Sequence, residues 1–301
     1  MSVFGGVLDP ENKEYQYYYP TAVLVTGWDI IFFWVARMIM AGYAFDGRRP
    51  FSEVYFTGMV RDMKRRKMSK SLGNSPDALK LMDRFGADGV RFGMLASAPA
   101  GNDLLFDEKL CDQGRNFMNK IWNALRLVKS WEVDSNKKPA QPWTGDWFEA
   151  ALNSKIAEYE SSVEQYRLSE ALMGLYTFVW DDFCSWYLEW IKPTFGEAID
   201  QKTYDQCLGF FDSILKLLHP FMPFITEEIW QHLRERQQDD FLVVAKFPEG
   251  NTFDAAWLSQ AELAREVISK IREVRTKDGV KQKDSIVCQF IPGSADEFDR
   301  F

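Results

Sequence analysis

The first stretch that reads as a structural element is 22–26 (AVLVT), small and β-branched residues set between Pro20 and Gly27. That pattern predicts a buried strand running into a turn. From 30 to 40 the apolar residues are almost continuous, which predicts a helix buried on most sides, with Gly42 as its stop. Residues 53–60 (EVYFTGMV) are rich in β-branched and aromatic types and predict a second strand. Strand, helix, strand in that order is the pattern of a parallel α/β sheet, because parallel neighbours need a crossover between them.

Beyond this point the period changes. Ser75, Pro76 and Asp77 form a helix start, and a further helix is expected over 88–96, before the break at Ala98, Pro99, Ala100 and Gly101. From Glu108 onward the spacing is helical. Leu168, Leu172, Leu175, Val179, Phe183, Trp186 and Trp190 recur every three or four residues, as do Leu208, Phe211, Ile214, Leu215 and Leu218. Long amphipathic helices joined by short loops predict a bundle, with a lysine- and proline-bearing loop over 134–142 after its first helix. In the tail, Leu263, Val267, Ile271 and Val274 define one more helix, Gly279 breaks it, and 285–291 alternate enough for a strand. The last residues, Asp299, Arg300 and Phe301, stand where another helix would begin, as expected of a segment of a longer chain.

Composition adds little to this outline but excludes some alternatives. With 301 residues, 46% hydrophobic and 15% aromatic, the chain can bury a substantial core and is not a disordered or low-complexity segment. The apolar run 30–36 is far shorter than the roughly 20 residues of a membrane span, so no membrane partner is expected. Residues 1–14 lack the pattern of a secretion signal, which makes a cytoplasmic location the default. Cys111, Cys184, Cys207 and Cys288 are scattered singly, so no zinc site or other metal site is expected, and each thiol is expected to be buried and reduced. A net charge of −8 argues weakly against a nucleic-acid partner, because phosphate contacts depend on local basic surface. Two such surfaces are present in the sequence: Arg61, Lys64, Arg65, Arg66, Lys67 and Lys70, and the run from Lys270 to Lys283.

The sharpest chemistry lies in Lys67-Met68-Ser69-Lys70-Ser71, a basic segment directly after the second predicted strand. When a carboxylate attacks the α-phosphorus of a nucleoside triphosphate, negative charge grows on the α-phosphate and the departing pyrophosphate. Lys67 and Lys70 could offset that charge, Ser69 and Ser71 could hold the loop by hydrogen bonds, and Gly73 would let it move. A second signal is Thr26-Gly27-Trp28-Asp29: a carboxylate at the end of a sheet strand, beside a glycine, is suited to accept hydrogen bonds from ribose hydroxyls.

The five-residue string matches the KMSKS signature of class I aminoacyl-tRNA synthetases, and YYPTAVLVTGWDIIFFWVARM resembles the corresponding stretch of the valyl-tRNA synthetases. Isoleucine enzymes carry a Gly-Ser-Asp-Gln-His arrangement at this place and leucine enzymes a Gly-Glu-His one, so Trp28-Asp29-Ile30-Ile31 favours valine. Residues 85–91, 115–123, 180–187 and 219–228 are similar to further marks of the same family, which extends the resemblance over nearly the whole chain. It implies that Gly27 and Asp29 face the ATP ribose, that Ile30 helps line the valine pocket, and that backbone groups of Gly58, Met59 and Val60 lie beside adenine. It also implies that Lys67, Met68, Ser69, Lys70 and Ser71 bind ATP, supplied with magnesium as substrate. Lys70 is the stronger catalytic candidate of the two lysines, because the family assigns the second one to the phosphates.

The expected architecture is then the second half of a Rossmann-type α/β nucleotide-binding domain (1–105), an α-helical anticodon-binding bundle (106–250) and the start of a small α/β tail module (251–301). Arg115, Asn116, Asn119 and Lys120 on one helix, and Lys270, Arg275, Lys277 and Lys281 in the tail, are the expected contacts to tRNA(Val). Most of the Trp and Phe positions fall on core faces and are expected to be structural. The HIGH tetrapeptide is missing, since the only histidines are His219 and His232, and the editing domain is missing as well. The segment alone is therefore expected to lack activation activity, to bind tRNA weakly through salt-sensitive contacts, and to be a monomer. It should also expose apolar surface where the other half-sheet packs. The alternatives are a fragment of an isoleucyl- or other class Ia synthetase, and a stand-alone tRNA-binding module.

Overall fold

The computed structural model describes residues 9, 11–98, 102–281 and 284–287. Internal contacts divide the chain into two compact units, Met1–Arg115 with Ser162–Leu172, and Asn116–Ser161 with Met173–Phe301.

The first unit opens with α1 (Lys13–Tyr18), capped by Asn12, whose side chain accepts from the Tyr15 amide at 3.0 Å. Next come β1 (Thr21–Gly27), a 3-10 turn (Trp28–Ile30), a π turn (Ile31–Val35), α2 (Ala36–Asp46) and β2 (Phe51–Thr57). β1 and β2 pair in parallel, with Val23 opposite Glu53 and Gly27 opposite Thr57, so the expected strand, crossover, strand unit forms.

Two expectations for the crossover are corrected. It is not buried on most sides: Phe32, Phe33 and Phe45 are 82%, 72% and 76% exposed. Continuous apolar sequence signals burial only where a second layer exists, and no described residue covers this face. Nor does Gly42 stop the helix. Gly42 is buried where a Cβ would come within 2.9 Å of the Arg48 carbonyl, and the chain leaves the helix at Gly47, in the left-handed region at φ 70°. The 19 residues Trp28–Asp46 are long and apolar enough to cross a membrane by length and composition, although the shorter run 30–36 gave no such expectation. They form the connection between two hydrogen-bonded parallel strands.

The second predicted strand also divides. β2 ends at Thr57, and Val60–Arg61 forms a separate strand, β3. α3 (Ala78–Phe85) follows, capped by the Asp77 carboxylate accepting from the Leu79 amide at 3.0 Å. Then come α4 (Ala87–Ala96) and β4 (Leu104–Leu105), which pairs in parallel with β3. Leu81, Phe85, Val90, Leu104, Phe106 and Cys111 form the buried core of this region, with Val60 and Met68 packed against it.

α5 (Glu108–Lys129), β5 (Val133–Asp134) and α6 (Trp143–Glu164) come next, followed by α7 (Leu168–Thr177), a π-helical stretch (Phe178–Tyr187) and α8 (Leu188–Ile191). β6 (Ile199–Asp200), α9 (Gln201–Leu218), α10 (Pro223–Leu233) and α11 (Ala256–Lys277) complete the described elements of this size. β5 and β6 pair in parallel, and buried Asp200 caps α9 by accepting from the Thr203 amide at 2.9 Å.

The interior of the second unit is aromatic. Phe148 is fully buried, with ring centroids 4.4 Å from Tyr187, 5.0 Å from Phe210, 5.3 Å from Phe178 and 5.6 Å from Phe183. Contacts of this kind add to the area they remove from water. Within the π-helical stretch the Ser185 hydroxyl donates to the Trp180 carbonyl at 2.9 Å. Of the apolar positions on which the helices were read, Leu172, Leu175, Val179, Phe183, Leu208, Phe211, Ile214, Leu215 and Leu218 are buried, while Leu168, Trp186 and Trp190 are half-buried.

α11 belongs to the same unit. Arg265 lies 4.8, 5.4 and 6.0 Å from the rings of Trp147, Trp186 and Trp190 and pairs with Asp182 at 2.7 Å. Burial pushes the Asp182 carboxyl upward in pKa, and the guanidinium opposes this only in part. After α11 the chain reverses at Gly279, φ 68°, with the Val280 amide donating to the Arg275 carbonyl at 2.9 Å. Of the strand expected over 285–291, residues 285–287 form none, and the rest lie outside the described residues.

Candidate functional site

The KMSKS segment is the return arm of a hairpin. Met68 donates its amide to the Val60 carbonyl at 3.0 Å, Asp62 donates its own to Arg66 at 2.9 Å, and Arg65 turns the chain at φ 61°. The Asp62 carboxylate organises the root of this hairpin. It accepts from the Lys64 and Arg66 amides at 3.0 and 2.9 Å, from the Arg66 side chain, and from Asn74 Nδ2 at 3.1 Å. The Asn74 hydrogen bond, followed by those of Arg66, holds its carboxyl well below the usual carboxylate range. Asn74 also donates to the Lys67 carbonyl at 3.3 Å and accepts from the Ser69 amide at 3.0 Å. One asparagine thus spans both sides of the loop.

Within the loop, the Ser69 and Ser71 hydroxyls are 3.0 Å apart, and Ser69 Oγ accepts from the Leu72 amide at 3.2 Å. Gly73 is left-handed at φ 61°. Lys67 Nζ reaches Asp29 Oδ2 at 3.3 Å. With both side chains well exposed, such a pair contributes at most about 1 kcal/mol, so its importance is positional. Lys70 is exposed and forms no ion pair among the described residues.

Asp29 sits in the turn that leaves β1, and Ile30 beside it is 38% exposed. A Cβ on Gly27 would lie 2.7 Å from Asp29 Oδ1, so only a glycine lets the carboxylate fold back against the strand end. Gly58, Met59 and Val60 leave the same end of β2, where a Cβ on Gly58 would lie 1.8 Å from the Asn102 carbonyl oxygen. The carboxyl ends of two parallel strands, the Asp29 carboxylate and the Lys67 ammonium therefore meet at one edge, the usual location of a ligand crevice in parallel α/β sheets.

Three organising residues were not singled out from the sequence. Asp103 accepts from the Met59 amide at 2.9 Å and pairs with Arg61. Arg61 and the Met59 amide hold its carboxyl below the usual range. Asp62 with Asn74 is the other case. Short polar residues flanking a turn were the available signal, but their partners are 44 and 12 residues away.

The expected tRNA contacts are not all equally available. The Arg115 guanidinium bonds Asp112 at 2.7 Å and the Arg84 carbonyl at 3.3 Å. Asn116 and Asn119 are exposed on α5, and Lys120 Nζ stands 5.2 Å from the Trp180 ring. In the tail Lys270 pairs with Glu273 at 2.9 Å, and Arg275 donates to the carbonyls of Lys281 and Asp284. Lys277 and Lys281 are exposed, and Lys283 lies outside the described residues. Cys111, Cys184 and Cys207 are free and buried, with burial pushing the Cys184 thiol up to about 12, while Cys288 lies outside the described residues. No group of three or more His, Cys, Asp or Glu side chains among the described residues could hold a metal ion.

Comparison with known proteins gives the family. The family model of class I tRNA synthetases (I, L, M and V) matches residues 2–107, and that of the anticodon-binding domain of tRNA ligase matches 145–290. The valine–tRNA ligase of Parabacteroides distasonis is 54% identical over 97% of this chain, and that of Phocaeicola vulgatus 55% over 97%. The chain spans 34% and 33% of those relatives' lengths. The valine–tRNA ligase of Chlorobaculum tepidum is 39% identical over 88% of the chain. In fold, the chain resembles Mycobacterium tuberculosis methionyl-tRNA synthetase in complex with methionyl-adenylate, with a TM-score of 0.59 at 20% identity over 76% of this chain and 47% of that one. It also resembles an Agrobacterium radiobacter LeuRS-tRNA-LeuAMS ternary complex, with a TM-score of 0.57 at 20% identity over 77% of this chain and 29% of that one. The chain belongs to the class I tRNA synthetase family, as a segment of the valine–tRNA ligase kind.

Proposed function

We propose that this chain is the part of a valine–tRNA ligase that supplies the mobile phosphate-binding loop, one side of the ATP site and the tRNA-binding helices. The full reaction joins valine to ATP as valyl-adenylate, then transfers the valyl group to tRNA(Val). The observation that carries the reading is the meeting of Asp29 and Lys67 across the carboxyl ends of β1 and β2, at 3.3 Å.

In this reading the Asp29 carboxylate and the Gly27 backbone take the ribose, the backbone of Gly58, Met59 and Val60 borders the adenine, and Ile30 helps line the valine pocket. As the valine carboxylate attacks the α-phosphorus, the bond to pyrophosphate breaks and charge moves onto the leaving oxygens. Lys67 and Lys70 stabilise that charge, with Lys70 free to follow it because no described carboxylate holds it. Magnesium accompanies the triphosphate as part of the substrate. Arg115, Asn116, Asn119, Lys120, Lys270, Arg275, Lys277 and Lys281 serve tRNA. The functional parts follow the sequence reading, 1–105, 106–250 and 251–301, with α11 of the last part packed into the same unit as the bundle, and the parent enzyme is a cytoplasmic monomer.

Equilibrium binding of ATP and of adenosine to this chain tests the assignment. Lys70→Ala should raise the Kd for ATP about tenfold, as for loss of one charged hydrogen bond, and leave adenosine unaffected. Equal effects on both ligands, or none on ATP, would refute it.

A further inference from the structure

The turn between α6 and α7 carries an outlier. Tyr166 holds φ 57°, in the left-handed region that a residue with a Cβ enters at a cost. The position is the one after a helix end where glycine is usual: the Arg167 amide donates to the Ser162 carbonyl at 2.8 Å, and the Tyr166 amide to Val163 at 3.0 Å. A tyrosine in a glycine's place calls for a compensating gain from its side chain.

That side chain reaches across to β2. Its ring stacks on Tyr55 at 5.2 Å between centroids and 26° between planes, and its hydroxyl donates to the Glu53 carboxylate. This hydrogen bond pushes the phenol's pKa upward. Glu53 and Tyr55 lie two residues apart on one face of β2. Nearby, the Ser169 hydroxyl donates to the Ala96 carbonyl at 3.2 Å, and residues 162–172 group with the first unit although the sequence on either side of them belongs to the second.

We propose that Tyr166 is a positioning residue for the nucleotide site: it clamps one face of β2 and so fixes the strand whose end carries Gly58, Met59 and Val60. The proposal rests on the reading of those three residues as the adenine edge. Through the turn it occupies, Tyr166 ties the setting of that edge to a segment more than a hundred residues away in sequence.

The test separates the ring from the backbone. Tyr166→Gly relieves the left-handed conformation but removes the clamp, and Tyr166→Phe keeps the stacking and loses the hydroxyl. Three quantities are measured on the whole chain: Tm, hydrogen exchange of a peptide covering 51–60, and the Kd for adenosine. For Tyr166→Gly the Tm should hold or rise, exchange in 51–60 should speed up, and the Kd should rise about fivefold, with Tyr166→Phe in between. A fall in Tm in step with the other changes would make the role merely structural and overturn the proposal, as would unchanged exchange and Kd. If the unaltered chain binds no adenosine, the nucleotide reading fails. The exchange of 51–60 then decides alone whether Tyr166 holds the strand, and no change there overturns the clamp.

Discussion

The two units solve the problem of burial differently. In the second, Phe148, Phe178, Phe183, Tyr187 and Phe211 enclose one another, because helices can arrange their apolar stripes around a shared centre. In the first, a sheet with a parallel pair at its heart needs cover on both faces, and Phe32, Phe33 and Phe45 stand open. Its order at the strand ends comes instead from polar ties: Asp62 with Asn74 and Arg66, and Asp103 with Met59 and Arg61. Packing defines one unit, and hydrogen bonds define the working edge of the other.

The largest effect is expected from striking the packed side. Phe148→Ala should destabilise the second unit by about 3–5 kcal/mol, since a fully buried ring with five aromatic neighbours leaves a cavity that rigid rings cannot fill. Chemical denaturation followed by tryptophan emission measures this, and a loss under about 1 kcal/mol would mean the rings are loosely packed. A smaller effect is expected on the other side from Gly58→Ala, whose Cβ would meet the Asn102 carbonyl. Moving that backbone should cost about 1–3 kcal/mol and weaken adenosine binding, while the second unit melts as before. A change confined to the second unit would contradict the division.

The smallest effect, and the sharpest on the comparison, is that of acid. Asp62 and Asp103 have folded-state pKa values below the ordinary 3.8. Their contribution is complete above the ordinary value and is lost as pH falls through the folded one. Amide signals of Arg66 and Met59, which donate to these carboxylates, should therefore stay constant from neutral pH and shift only below 3.8. A midpoint at or above that value would show that the ties do not hold the edge.

The sequence was readable where local pattern decides. The helical spacing at Leu172, Leu175 and Val179, the Asp77 cap and the Gly279 break all reflect forces acting within a few residues. It misled where a neighbour decides: the crossover helix carries a core-like composition with no described layer above it, and the strand read as 53–60 divides at Gly58, where Asn102, far along the chain, leaves no room for a side chain. At the candidate site, Asp29 and the lysine loop were visible because the chemistry demands those residue types. Asp62, Asn74 and Asp103 were not, since an acid or amide in a turn looks alike whatever it binds.

Arg265 carries a consequence for how such chains can be cut and rejoined. Its guanidinium faces three indole rings and neutralises a carboxylate that burial already disfavours. A recombination breakpoint ahead of α11 would leave Asp182 without its counterion and wet the faces of Trp147, Trp186 and Trp190 together. The helix is a wall of the room and not an annex to it, and a shuffled gene that preserves the bundle has to carry the wall along.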